Sequence, residues 1–146
     1  MIAVVQRVSG SRVTIGGSVA AEIGVGLTVL LGVADGDRTV DSEHLAAKVV
    51  NLRIFEDDQG KFNRSLIDVG GQMLVVSQFT LLGDCRKGRR PSFINAAQPV
   101  LAEPLYRHFV ETVRRQGVDA LTGCFGATMQ VTIINEGPVT LLLHSR

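Results

Sequence analysis

The sequence predicts an α+β fold: one domain spanning residues 1–146, in which a twisted antiparallel β-sheet or barrel carries two main helices. Three observations predict it. The first third alternates β-rich runs with glycine turns, two later stretches repeat apolar residues at helical spacing, and the remaining apolar runs have strand length. With 146 residues, 45% apolar and 20% charged, the chain can bury a real core, and no linker, repeat or low-complexity segment divides it.

Ile2 to Val8, Arg12 to Ile15, Val19 to Ile23 and Leu27 to Val33 read as strands separated by Ser-Gly, Gly-Gly and Gly-Val-Gly, an antiparallel meander. Asp35-Gly36-Asp37 then turns into a helix near Val40 to Leu52, with Leu45, Val49 and Leu52 on one face and Thr39 or Asp41 as its cap. Asp57-Asp58-Gln59-Gly60 and Gly70-Gly71 punctuate the chain before Gln72 to Leu82, expected to be the longest buried strand. The second helix spans about Pro99 to Gln116, opened by proline, with Leu101, Leu105, Phe109 and Val113 on its apolar face. Thr128 to Ile134 and Val139 to Leu143 are the last two strands, joined through Asn-Glu-Gly-Pro.

A formal charge of +1 gives no global field for nucleic acid, so any such binding rests on a local patch, and DNA is not an expected partner. The opening Met1-Ile2-Ala3-Val4-Val5 is too short for a signal core and no run reaches spanning length, so a cytoplasmic protein without a membrane partner is expected. Cys85 and Cys124 lack CxxC spacing, and no His/Cys/Asp cluster has ligand spacing. Neither a disulfide, a metal nor a cofactor is expected.

Two segments put polar or rigid groups where a strand should simply pack. Met73-Leu74-Val75-Val76 runs into Ser77-Gln78-Phe79-Thr80 before apolar residues resume at Leu81-Leu82. On a structural reading these hydroxyls satisfy local backbone at a strand end. On a functional reading, backbone N–H groups and the Ser77 hydroxyl converge on an ester carbonyl oxygen, where each donor contributes about 2.7–4 kcal/mol. Thr80 as a nucleophile would need a base. His44, His108 and His144 are the candidates, and none adjoins a Ser, Cys or acid in a recognisable signature.

The second segment is Asn135-Glu136-Gly137-Pro138-Val139-Thr140. Gly-Pro here reads either as a turn or as a cis peptide, the glycine allowing carbonyl oxygens to approach a ligand closely. A third feature, Arg86-Lys87-Gly88-Arg89-Arg90-Pro91-Ser92-Phe93, has four cations in its first five residues. It is either a solvated loop or a holder of phosphates at an RNA end.

Ser77-Gln78-Phe79-Thr80-Leu81, Gly88-Arg89-Arg90-Pro91-Ser92-Phe93, Thr122-Gly123-Cys124-Phe125 with Met129, and Asn135 to Thr140 together resemble the bacterial-type D-aminoacyl-tRNA deacylases, also called D-tyrosyl-tRNA deacylases. The opening Met1 to Val8 and the run Ile23 to Val33 fit as well, so the likeness covers essentially the whole chain. It implies a homodimer in which Gly137-Pro138, in cis, enters the partner's active site and rejects L-residues. Arg7 is similar to the residue that holds this dipeptide. Ser77, Gln78, Phe79 and Thr80 would line the catalytic pocket, with the Phe79 N–H on the carbonyl oxygen and Thr80 orienting.

Phe125 and Met129 would bind the 3′-terminal adenosine, unless they simply pack in the core. The partner implied is the 3′ acceptor end of aminoacyl-tRNA, including glycyl esters mischarged on alanine tRNA. Water would be activated with help from the terminal 2′-hydroxyl. Two other classes stand beside this reading: a small-ester hydrolase with Thr80 as nucleophile, and a non-catalytic RNA-end binding module.

Overall fold

The computed structural model describes residues 1–146. Its strands are β1 (Ile2–Ile15), β2 (Ser18–Ile23), β3 (Gly26–Gly32), β4 (Phe55–Glu56), β5 (Phe62–Arg64), β6 (Gln72–Ser77), β7 (Ala120–Thr122) and β8 (Gln130–His144). The helices are α1 (Thr39–Val50) and α2 (Pro99–Arg115), with a short 3-10 turn at Phe79–Leu82. The expected α+β architecture with two main helices is present. The six-stranded sheet runs β2-β1-β3-β6-β7, with β8 along the other edge of β1, and β4-β5 form a separate hairpin.

The sheet is mixed rather than purely antiparallel. β1 pairs antiparallel with β2, β3 and β8, whereas β3-β6 and β6-β7 are parallel. Nor is the first third a meander. β1 runs unbroken through Ser9-Gly10, so β3 and β2 pair with its first and second halves in turn instead of pairing with each other. Ser-Gly, which the sequence offers as a turn, is absorbed by a register shift between Val8 and Gly10.

The last two expected strands are likewise one, β8, whose 15 residues make it the longest strand; β6 has six and stops at Ser77. A buried run such as Met73–Val76 has no reason to extend further. Met73 and Val75 enter the core beneath the helices while Leu74 and Val76 face a second cluster with Val8, Val13 and Ile23. That second cluster, closed by Met129, Val131 and Ile133, gives the sheet its barrel-like curl.

The N-cap of α1 is Arg38 rather than Thr39 or Asp41, and Asp41, three residues on, accepts the Arg38 N–H at 2.9 Å. On α2 the buried face is Ala102, Tyr106, Phe109, Val110 and Val113, while Leu101 is 57% exposed. Of the expected stripe, Phe109 and Val113 are buried and Leu105 packs at the edge of the core, so only Leu101 departs, while the Tyr106 hydroxyl donates to the Val75 carbonyl of the sheet at 2.8 Å.

Near the chain ends, Arg146 donates to both oxygens of buried Asp41 at 2.8 and 2.9 Å. This pairing holds the Asp41 carboxyl well below the usual carboxylate range, against burial, which pushes it up. A depressed folded pKa stabilises above the unfolded value, near 3.9, and the contribution is lost as pH falls toward the folded value. Arg146→Ala is therefore expected to lower the melting temperature at pH 7, with the difference from the parent shrinking below about pH 3 in a pH series of thermal melts.

Candidate active site

One cavity of about 640 Å³ lies between the end of β6, the segment before α2 and the loop leading into β8. It is lined by Ser77, Gln78, Phe79, Phe125 and Met129, five of the nine residues singled out from the sequence. Ser77 ends β6 opposite Leu31, and Phe79 and Thr80 open the 3-10 turn, whose first N–H groups have no intrahelical acceptor. Of these two residues, Phe79 lines the cavity. Gly32 permits the turn to dock on β3: a Cβ there would come within 2.6 Å of Leu82 and 3.0 Å of the Gln78 carbonyl.

Thr80 itself does not line the cavity. Its hydroxyl accepts from the Gln78 side-chain amide, a group with no basic site to take a proton. Phe79 is 56% exposed, and its ring meets Phe93 edge-on at 5.1 Å. In the sequence Phe93 is only the tail of a basic run, yet it is a wall residue. Ala96, Ala97, Gln98 and Pro99 complete that wall and bring the positive end of α2 to the cavity.

Phe125 and Met129 pack against core residues and also line the cavity. Phe125 packs on Tyr106 at 5.8 Å and Met129 on the second core cluster, while both face the cavity. Gly123 makes room for the thioether: a Cβ there would lie 2.5 Å from the Met129 sulfur.

The cavity wall contains no Asp, Glu, His, Lys or Arg. His44 is exposed on α1, His108 pairs with Glu43 at 3.0 Å, and His144 ends β8. Cys85 and Cys124 are free thiols, and no three His, Cys, Asp or Glu side chains come together. No helix is long and apolar enough to cross a membrane.

Arg7, Gly137 and Pro138 are not brought to this cavity; they form a second construction. Between the pairs Gln6↔Thr140 and Val8↔Asn135, β1 spends one residue, Arg7, where β8 spends residues 136–139. The excess bulges outward with the Gly137-Pro138 peptide cis and exposed. Asn135 ties the mouth of the bulge, accepting the Val139 N–H at 3.2 Å and donating to the Thr140 hydroxyl at 2.8 Å.

Beneath the bulge, Arg7 is 7% exposed and donates from Nε to the Glu136 carbonyl at 3.2 Å and from Nη1 to the Ile54 carbonyl at 2.7 Å. Phe62 on the β4-β5 hairpin lies 5.2 Å from its guanidinium, and Glu56 approaches at 3.8 Å. Nothing in local sequence signals these partners. Each comes from a different element brought in by tertiary packing.

The family model for D-Tyr-tRNA(Tyr) deacylase matches residues 4–144. The chain belongs to this family. The D-aminoacyl-tRNA deacylase of Desulfatibacillum aliphaticivorans is 59% identical over 146 residues, covering 100% of both chains. A solved c-Myc DNA unwinding element binding protein superposes with a TM-score of 0.94 at 43% identity, over 100% of this chain and 99% of that one. A probable eukaryotic D-amino acid tRNA deacylase shares the fold, with a TM-score of 0.82 at 20% identity over 97% of each chain. As the family's name states, its chemistry is deacylation of aminoacyl-tRNA, and this deacylase fold carries a cavity without ionisable side chains and, apart from it, a hydrogen-bonded bulge.

Proposed function

We propose that the chain hydrolyses the ester of D-aminoacyl-tRNA, releasing free D-amino acid and tRNA in the cytoplasm without a cofactor. The observation that carries this reading is the cavity wall without an ionisable side chain. Such a site has no base of its own, so it suits a substrate that is already an activated ester and brings a neighbouring 2′-hydroxyl to assist water. The enzyme's share is orientation and stabilisation of the carbonyl oxygen by Ser77 and the Phe79 amide. Phe125 and Met129 offer the terminal adenosine an aromatic and thioether surface.

The chiral wall comes from a second subunit. Arg7 faces Leu27, which faces Met73, and Ser77 lies four residues farther along β6. At ordinary strand spacing the bulge is roughly 13 Å along and about 14 Å across from its own Ser77. Two further features support a homodimer. β8 leaves one edge unpaired along its length, and Ile134 and Leu142 on it are exposed.

In that dimer Gly137 and Pro138 enter the partner's cavity with their carbonyls toward the α-carbon, leaving room for hydrogen but not for an L side chain. Glycyl esters, with no side chain to exclude, are cleaved too, including those mischarged on alanine tRNA.

The test is amino acid release from matched D- and L-tyrosyl-tRNA, by the parent and by Thr80→Ala, with a chelator present. Rapid loss of the D-ester alone, kept within about tenfold in Thr80→Ala, is expected, since Thr80 orients through Gln78 and does not attack. Loss of all turnover in Thr80→Ala would instead favour a covalent Thr80. Equal release of both esters, or of neither, would remove the chiral reading, leaving a general esterase in the first case and an RNA-binding module in the second.

A further inference from the structure

The basic loop has an internal order that its composition conceals. Asp84 and Ser92 exchange backbone hydrogen bonds at 2.8 and 2.9 Å, closing the loop as an isolated antiparallel bridge. Arg86 folds back on Asp84, donating from Nε and Nη2 to its two oxygens at 2.9 and 2.7 Å, and its backbone N–H adds a third bond at 3.0 Å. This pairing holds the Asp84 carboxyl at about 2.

The acid is thus committed to Arg86 alone. Lys87, Arg89 and Arg90 remain exposed around Gly88, which turns the chain at φ +73°, and none of them takes part in an ion pair. The loop is also anchored to the cavity, since Phe93 is a wall residue and a Cβ on Gly83 would lie 2.9 Å from its ring. Arg90 is three residues from Phe93, so their α-carbons are at most about 10 Å apart.

We infer that Lys87, Arg89 and Arg90 are a phosphate clamp for the RNA strand leading into the cavity, and that Arg86 is a strut of the loop that does not contact RNA. The inference rests on the proposed deacylase reading and extends it to how the nucleic acid is held. Guanidinium forks suit phosphate oxygens, and three cations at one rim act on the strand without reading its bases.

The experiment compares D-tyrosyl-tRNA with D-tyrosyl-adenosine, which carries the same ester and no phosphate, for the parent, the triple variant Lys87→Gln/Arg89→Gln/Arg90→Gln, and Arg86→Gln. About three phosphates released from counterions predict that the parent's KM for tRNA rises roughly 15- to 40-fold between 50 and 200 mM salt. The triple variant should lose most of that slope, with the defect in KM for tRNA and not in KM for the adenosine ester. Arg86→Gln should keep the parent's slope.

A triple variant with the parent's KM and slope for tRNA would overturn the clamp, as would an equal rise in KM for both substrates. A slope lost in Arg86→Gln would overturn the strut. If the parent cleaves neither substrate, it is the deacylase reading that fails.

Discussion

Gly137→Ala is expected to lower kcat/KM for D-aminoacyl-tRNA by about 100-fold while the chain stays folded. Gly137 has φ +124°, a region that L side chains rarely adopt. An added Cβ would also stand 2.8 Å from a Val139 methyl, 3.0 Å from Arg7 Nη2 and 3.1 Å from the Val139 amide. All three neighbours belong to the frame that sets the bulge, so the Cβ is accommodated by moving the dipeptide. A displacement near 1 Å at a positioning element costs about two orders of magnitude.

The defect should appear in D-tyrosyl-tRNA turnover with a smaller fall in melting temperature than Arg7→Ala gives, because the dipeptide itself is exposed and can shift outward from Val139 and buried Arg7. Unchanged D-ester turnover and unchanged rejection of the L-ester would remove Gly137 from the chiral wall.

Much of this was legible in the chain because local chemistry and position agree. Met73–Val76 announces a strand buried on both faces, Pro99 opens α2, and Ser77 to Thr80 end a buried strand with polar residues, of which Ser77 and Gln78 line a cavity. What was not legible depends on length and on distant partners. Ser9-Gly10 and Asn135 to Pro138 read as connections between separate strands, yet each is an irregularity inside one long strand, because β1 and β8 pair over most of their lengths and hold the chain extended across both.

The same limit hides the wall formed by Phe93 and the start of α2. A Pro-Ser-Phe following four cations draws attention to charge, and only the contact with Phe79 gives the ring its place. The frame around Arg7 is the extreme case, with its carbonyl acceptors 47 and 129 residues away in the chain.

Arg7→Ala should therefore reveal two effects that a surface arginine would not show together. Loss of the guanidinium leaves the buried Ile54 carbonyl and the partly buried Glu136 carbonyl without their donors, and it removes the cation beside Phe62. Orphaned acceptors of charged donors cost about 1–3 kcal/mol each, so a net loss of about 3 kcal/mol is expected, seen as a fall of roughly 10 °C in melting temperature.

The second effect is on chirality, because Nε holds the carbonyl at the base of the bulge that carries Gly137-Pro138. D-ester kcat/KM should fall by about 100-fold. Arg7→Lys separates the two: an ammonium can keep the charge and satisfy one carbonyl, but it lacks the fork that reaches both at once. It should recover about half of the lost stability and little of the lost turnover. Recovery of full turnover by lysine would mean that Arg7 acts through charge alone, and that the bulge is held by Asn135 without it.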